Sequence, residues 1–335
     1  MQLTHVSVLG AGSWGTALAM LLARQGQPVT LWAHHAEHVA SMQHDRSNER
    51  FLPGIIFPES LQLETDLSTA IAPADLVLIA VPSHAFRDTL QQAKAALTEK
   101  SYLSWATKGM EFSTCKFMHQ LIEEELGTDK HSAVISGPSF ALEVAKGLPT
   151  AVTVASKDET FATAVAERLH DETFRAYTSH DVIGAQVGGA IKNVLAIAAG
   201  IADGLGFGAN TRAALITRGL SELTRLGIAL GGHAETFMGL AGMGDLVLTC
   251  TDNLSRNRRF GLAIARGLSA EEARKEIGQV VEGELSAKEA WQLSQQHHID
   301  MPICEQVYKV LNENLDPHTA VHNLLGRKQR SEELF

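Results

Sequence analysis

Between Val182 and Ala202 the chain reads VIGAQVGGAIKNVLAIAAGIA, and Lys192 is the one charged side chain in the run. A buried ammonium is rare without a partner or a function. Burial and a neighbouring cation such as Lys108 would both lower its pKa, toward the range where an amine exchanges protons near neutral pH. Gly188 and Gly189 precede Lys192 by three to four residues and Ala196 follows it by four. On a helix these small side chains share its face and would leave room beside it for a substrate. A structural lysine bonded to carbonyls is the plainer alternative.

Further along, LAGMGDLVLTCTDNLSRNRRFG gathers Asp245, Thr249 and the run Ser255, Arg256, Asn257, Arg258, Arg259. A guanidinium at a helix start suits a phosphate monoester, because Arg offers a bidentate fork and the backbone adds N–H donors. Arg258 or Arg259 reads instead as a solvated cation, and Cys250 as a small core filler. Near the N-terminus, Gly10, Gly12 and Gly15 form G-x-G-x-x-G between the strand-like VSVLG and the helix-like TALAMLLARQG. In that context the first glycine permits a tight turn, the second admits a pyrophosphate to the backbone, and the third lets helix and strand pack closely. The phosphates would sit on the helix N-terminus, where N–H groups and the dipole favour anions.

An acid about twenty residues past such glycines would bind the ribose hydroxyls of NAD. Here the second strand ends LWAHHAEH, with His34 and His35 in that place and no acid before Glu37. The 2′-phosphate of NADP is therefore not excluded. These imidazoles, with His38, also fit a solvated surface, and the His34 and His38 pair has no third metal ligand nearby. Other strand-like runs end in polar residues, where an open α/β sheet places its ligands: Pro82 and Ser83, Lys108, and the set Gly137, Ser139 and Ala141.

The elements that must position these residues follow from patterning. THVSVLGAG, PVTLWA, DLVLIAVPS, SYLSWATKG, SAVISGPS and TAVTVAS are short, rich in β-branched residues and broken by Gly, Pro or Ser, with helical stretches between them. That alternation predicts a parallel sheet wrapped by helices over residues 1–180. From about Asp181 the strand signal fades, and residues 181–335 read as all-helical. Helices are expected over 181–202, 209–231 and 256–267, after a Ser269 to Glu272 capping box, through Pro302, and up to Gly326. RKQRSEELF reads as a loose polar tail.

With 335 residues, 45% hydrophobic and 20% charged, the composition fits two cores in a soluble globular chain. A formal net charge of −10 argues against a surface that neutralises nucleic-acid phosphates or anionic lipid. Cys115, Cys250 and Cys304 form neither a disulfide framework nor a zinc pattern, which points to a reduced, cytoplasmic setting. MQLTHVSVLGAGSWG is strand-like and has no basic n-region, unlike a signal peptide. The 182–202 run is long enough to span a bilayer, but its Lys, Gln and Asn argue against stable membrane insertion.

Taken in order, GAGSWGTALA, IAVPSHAFR, the TKG holding Lys108, SGPSFA, GAIKNVLAIAAGIADGLGFGAN and LAGMGDLVLTCT with LSRNRRFG resemble the bacterial NAD(P)-dependent glycerol-3-phosphate dehydrogenase family over nearly the whole chain. The resemblance implies a Rossmann-type doubly wound sheet, a C-terminal all-helical domain and a homodimer. It also implies hydride transfer between C2 of sn-glycerol 3-phosphate and NAD(P), NADPH preferred, feeding phospholipid synthesis. By that likeness Lys192 is the acid/base, and Lys108, Gly137, Ser139, Asn193, Asp245, Thr249, Ser255, Arg256 and Asn257 hold the substrate. The dinucleotide falls to Gly10, Gly12, Ser13, Trp14, Gly15, His34, His35, Lys108, Ala141, Arg256, Val280 and Glu282. One departure is plain: many relatives have an arginine after the second strand for the 2′-phosphate, where this chain has His34 and His35. Neutral imidazole is a weaker phosphate partner, so the NADPH advantage should shrink as pH rises through the imidazole range. A short-chain dehydrogenase is excluded, because residues 106, 181 and 312, four past each tyrosine, are not lysine. A two-domain dehydrogenase of another 2-hydroxy or 2-oxo substrate, and a redox sensor without catalysis, are the other readings.

Overall fold

The structure, a computed structural model, describes residues 3–99, 101–112 and 114–328. From Gln329 onward the expected polar tail lies outside the described residues. The chain divides into two compact units, Met1–Thr107 with Lys116–Val182, and Lys108–Cys115 with Ile183–Phe335.

In the first unit, eight strands form one sheet: β1 Val6–Leu9, β2 Val29–Trp32, β3 Leu61–Glu64, β4 Leu76–Ile79, β5 Tyr102–Trp105, β6 Ser132–Ser136, β7 Thr150–Ala155 and β8 Phe174–Ser179. Their order across the sheet is β8-β7-β6-β5-β4-β1-β2-β3. At its centre β1 pairs in parallel with β2 and β4, Val6 lying opposite Val29 and Leu76. All four residues of β1, β2 and β4 are buried, as strands covered on both faces require. The helix after β1, α1 (Ser13–Arg24), buries every residue from Gly15 to Ala23. A helix that is apolar all round belongs inside a core.

Two features depart from the sequence reading. First, β7 runs antiparallel to β6 and β8 parallel to β7, so the sheet is parallel only as far as β6. A parallel return needs a crossover about as long as the strand. The helix after β6, Ala141–Ala145, has five residues and is about 7.5 Å long, too short to span a five-residue strand of about 16 Å. The chain therefore turns over instead of crossing back. Second, β3 and β8 were not foreseen. They are the two sheet edges, and LQLE and FRAYTS are partly exposed and polar, which removes the apolar signal.

The second unit is built on α2 (Val182–Gly204), and 89% of the most apolar window of this helix is buried inside the protein. Its length and hydropathy come from being a core axis. Glycine inside a helix costs up to about 1 kcal/mol relative to alanine, so α2 must gain from its glycines elsewhere. It gains close backbone contact: a Cβ on Gly188 would lie 2.1 Å from the Ala241 carbonyl oxygen, and one on Gly200 would lie 2.1 Å from that of Arg258. Around it pack α3 (Ala209–Ala229), α4 (Asp245–Thr251), α5 (Arg256–Ala265) and α6 (Glu282–Gln296), and α7 (Pro302–Asn312) packs on α6 and α3. The anticipated caps are present. Ser269 Oγ accepts from Glu272 N while Ser269 N donates to Glu272 Oε2, Pro302 opens α7, and Gly326 follows the helix Pro317–Leu325.

Candidate active site

Lys192 sits at mid-helix in α2, 8% exposed. Its Nζ donates to Asp245 Oδ1 at 2.7 Å and to Thr249 Oγ1 at 2.9 Å. Asp245, 1% exposed, takes Lys108 Nζ on its other oxygen at 2.6 Å, so one carboxylate bridges two ammoniums. Although Lys108 follows β5 in the chain, the segment Lys108–Cys115 belongs to the second unit, with its two partners. The approach of Asp245 has a steric origin. The glycine-rich turn Leu240–Gly244 lays the Ala241 carbonyl into the notch at Gly188, one turn before Lys192, and α4 starts at once with Asp245. That notch is filled by backbone, so the room inferred beside Gly188 is not a substrate space.

Charge and burial compete here. Burial lowers the Lys192 pKa, the Asp245 charge opposes this and Lys108 adds to it, leaving the amine at about 8. Burial alone would raise Asp245, but the two ammoniums overcome it and hold the carboxyl below its ordinary value. Thr249 donates its own proton to the Asp245 carbonyl at 2.6 Å, which leaves its oxygen to accept from Lys192. Two of the three Lys192 N–H donors are thus committed, and one remains. Cys250 beside Thr249 is buried, and burial pushes its thiol up to about 12, which makes it inert.

The next residue of α2, Asn193, joins a second set. Asn257 Nδ2 donates to Asn193 Oδ1 at 2.8 Å, Asn257 Oδ1 accepts from Gly283 N at 2.9 Å, and Asn193 Nδ2 donates to Gly189 O at 3.2 Å. A Cβ on Gly283 would meet Asn193 O at 2.5 Å, a close approach the sequence did not announce. Ser255 caps α5, its Oγ accepting from Arg258 N at 3.2 Å. Arg256 reaches Gln279 Oε1 at 3.4 Å. Burial lowers its pKa while Glu282, the first residue of α6, acts in the other direction. Val280, two residues earlier, is exposed. The solvated cation expected at Arg258 or Arg259 is not Arg258, which is buried and donates to Asp203 Oδ2 at 2.6 Å and to the Cys250 carbonyl at 3.2 Å. Of the pair, Arg259 is the exposed one.

In the first unit the three glycines differ as their surroundings dictate. Gly10 has φ +115° and no room for a Cβ, which would lie 2.9 Å from Val81. A Cβ on Gly15 would lie 1.9 Å from the Gly10 carbonyl, so helix and loop touch there. A Cβ on Gly12 would meet nothing within 4 Å, and the first turn of α1 holds no acid. The space at that helix N-terminus is open and free of negative charge, which fits a pyrophosphate. Ser13 Oγ donates to Phe51 O at 2.6 Å, and the Trp14 indole nitrogen is buried without a hydrogen-bond partner among the described residues. At the end of β6, Gly137 has φ +142° and would press a Cβ to 3.0 Å from Val152 Cα of β7. Ser139 Oγ donates back to the Gly137 carbonyl, and Ala141 opens a short helix whose last carbonyls accept from Arg24. His34 and His35 follow β2 with ring centroids 3.7 Å apart. Burial, then His35 and His38, hold His34 below the ordinary imidazole range.

Family models for NAD-dependent glycerol-3-phosphate dehydrogenase match this chain at residues 5–162 for the N-terminal part and 181–322 for the C-terminal part. The chain belongs to the NAD-dependent glycerol-3-phosphate dehydrogenase family. A relative from Pseudoalteromonas translucida, named glycerol-3-phosphate dehydrogenase [NAD(P)+], is 56% identical over 98% of both chains. One of the same name from Idiomarina loihiensis is 52% identical over 99% of this chain and 100% of its own. The crystal structure of glycerol-3-phosphate dehydrogenase from Coxiella burnetii superposes with a TM-score of 0.94 at 49% identity, covering 97% of this chain and 99% of that one. D-mandelate dehydrogenase, at 12% identity and a TM-score of 0.61, shares the fold alone. Within the glycerol-3-phosphate dehydrogenase family, this chain has His34 and His35 after β2, and its structure adds Asn48 and Phe51 to the surroundings of the glycine loop. Asn48 Nδ2 donates to Ala11 O and Thr16 Oγ1. The segment SNERFLPG gave no sign of this, because a polar turn looks the same wherever it packs.

Proposed function

We propose that this chain interconverts sn-glycerol 3-phosphate and dihydroxyacetone phosphate with NAD(P), NADPH preferred, and supplies glycerol 3-phosphate for phospholipid synthesis. The observation that carries this reading is the Lys192, Asp245, Lys108 and Thr249 cluster, a buried amine poised at about 8 with one donor uncommitted. The nicotinamide, when bound, gives or takes the hydride at C2. In the reductive direction the Lys192 ammonium gives its third proton to the C2 oxygen as the carbonyl becomes an alkoxide; in the oxidative direction the neutral amine takes it back. Asp245 holds the ammonium in place and, by its charge, keeps it protonated near neutral pH. Lys108, at the same carboxylate, holds the substrate there, and Gly137 and Ser139 are further substrate residues of this reading.

The phosphate end rests on α5. Ser255 and the N-terminal turn supply donors, Arg256 supplies the fork, and Asn257 keeps one N–H after serving Asn193. Gly10, Gly12, Ser13, Trp14, Gly15, Ala141, Val280 and Glu282 serve the dinucleotide, Lys108 and Arg256 meeting both ligands. The same reading places the protein in the cytoplasm as a homodimer, which sedimentation at micromolar concentration measures. Initial-rate oxidation of NADPH and NADH, with dihydroxyacetone phosphate and with dihydroxyacetone, tests the function. Rapid reduction of the phosphate ester and little of the free ketone is expected. Equal reduction of both would hand the site to another 2-oxo substrate.

A further inference from the structure

The His34 and His35 pair leaves the 2′-phosphate of NADP poorly served. His34 is held below the imidazole range, and a neutral ring offers at most one N–H. A stronger donor stands close by on another element. The two-stranded ribbon of Ser47–Asn48 with Leu52–Ile56 is clamped to the glycine loop: Asn48 Nδ2 donates to Ala11 O at 3.0 Å and to Thr16 Oγ1 at 2.8 Å, and Ser13 Oγ donates to Phe51 O at 2.6 Å. The same ribbon meets the segment after β2. His38 Nε2 lies 3.0 Å from Asn48 Oδ1, and the His38 ring packs edge-on to Phe51 at 5.4 Å. Over the Phe51 ring, at 5.0 Å, lies the Arg50 guanidinium.

Arg50 is exposed, and no acidic side chain pairs with it among the described residues. The adjacent carboxylate, Glu49, is turned to Gly54 N, accepting at 3.2 and 3.3 Å. One guanidinium without an acidic partner among the described residues therefore stands on a ribbon held both to the glycine loop and to His38, the third histidine after β2.

We propose that Arg50 is the specificity-determining cation for the adenosine 2′-phosphate, replacing from the ribbon the arginine this chain lacks after β2. The inference rests on the dinucleotide reading above. Its chemistry is that of the fork: Arg presents paired donors and stays charged throughout the physiological range, whereas the imidazoles lose charge as pH rises.

Calorimetric titration of the full-length protein with NADPH and with NADH tests this without reference to turnover. In the parent, NADPH should bind more tightly than NADH, with a ratio that does not fall from about pH 6.5 to 8, where the 2′-phosphate is mostly dianionic and the guanidinium keeps its charge. Arg50→Gln should weaken NADPH about ten- to a hundredfold, the loss of one charge-assisted bidentate contact, and leave NADH within about twofold. Arg50→Lys should restore part of the difference, since a point charge replaces the fork. An unchanged NADPH to NADH ratio in Arg50→Gln would overturn the inference alone, as would a parental ratio that falls with the imidazole titration. A parent that binds neither nucleotide would overturn the dinucleotide reading and Arg50 with it.

Discussion

At the scale of single residues the account turns on protonation. With Lys192 at about 8, kcat/KM for reduction of dihydroxyacetone phosphate should hold level at lower pH and fall as pH rises through about 8, where the ammonium that must donate is lost. Oxidation of glycerol 3-phosphate should show the opposite limb, rising toward the same pH. Asp245→Asn removes the charge that raises Lys192, so both limbs should move to lower pH; initial rates from pH 6 to 9.5 would show the shift or its absence. For the phosphate, Arg256→Ala should cut kcat/KM by at least ten- to a hundredfold, in line with about 1.5–3 kcal/mol for a charge-assisted hydrogen bond. Arg256→Lys should recover part, and turnover of dihydroxyacetone should change much less. Lys192 was legible because a lone charge in an apolar run demands a reason. Which of Arg258 and Arg259 is solvated was not legible, because the partner of Arg258, Asp203, is 55 residues away, and nothing local separates a buried cation from a solvated one. Gly283 and Asn48 went unseen for the same reason.

Among the elements, glycines mark where backbones touch, and the three in the first loop permit a sharp comparison. A Cβ at Gly15 would meet the Gly10 carbonyl at 1.9 Å, whereas one at Gly12 would meet nothing within 4 Å. Gly15→Ala should therefore lower the unfolding midpoint, in the range of about 1–3 kcal/mol or more that overpacking costs. Gly12→Ala should fold as well as the parent and bind NADPH less well, because its methyl enters the space kept for phosphate. Thermal melts with nucleotide titrations separate the two effects, and equal loss of stability in both would contradict the assignment. The buried parallel strands and the amphipathic helices could be read from patterning because burial dictates it. The edge strands β3 and β8 could not, since exposed positions accept almost any residue. Nor could the reversal at β7, which depends on how short the intervening helix is.

Across the whole molecule two buried carboxyls set a pH limit on stability. Glu289 is 1% exposed with neither oxygen hydrogen-bonded among the described residues, and burial, then the Glu282 charge, raise it to about 8. Burial also raises Glu222 to about 7, although it accepts from Ile303 N and Cys304 N at the start of α7. Both folded values exceed the ordinary 4.5, so the folded state binds the extra protons, and the stability they confer is full at acid pH and lost as pH rises through 7 to 8. Glu289→Gln should gain on the parent by up to a few kcal/mol between pH 6 and 9, read from urea midpoints. A gap that stays constant would mean Glu289 is ionised throughout. Turnover of Lys192→Met, measured as NADPH oxidation with saturating dihydroxyacetone phosphate, tests the central claim most directly. It should fall roughly 10²- to 10⁴-fold with NADPH affinity intact, as loss of a general acid requires. Turnover within a few-fold of the parent would contradict the account.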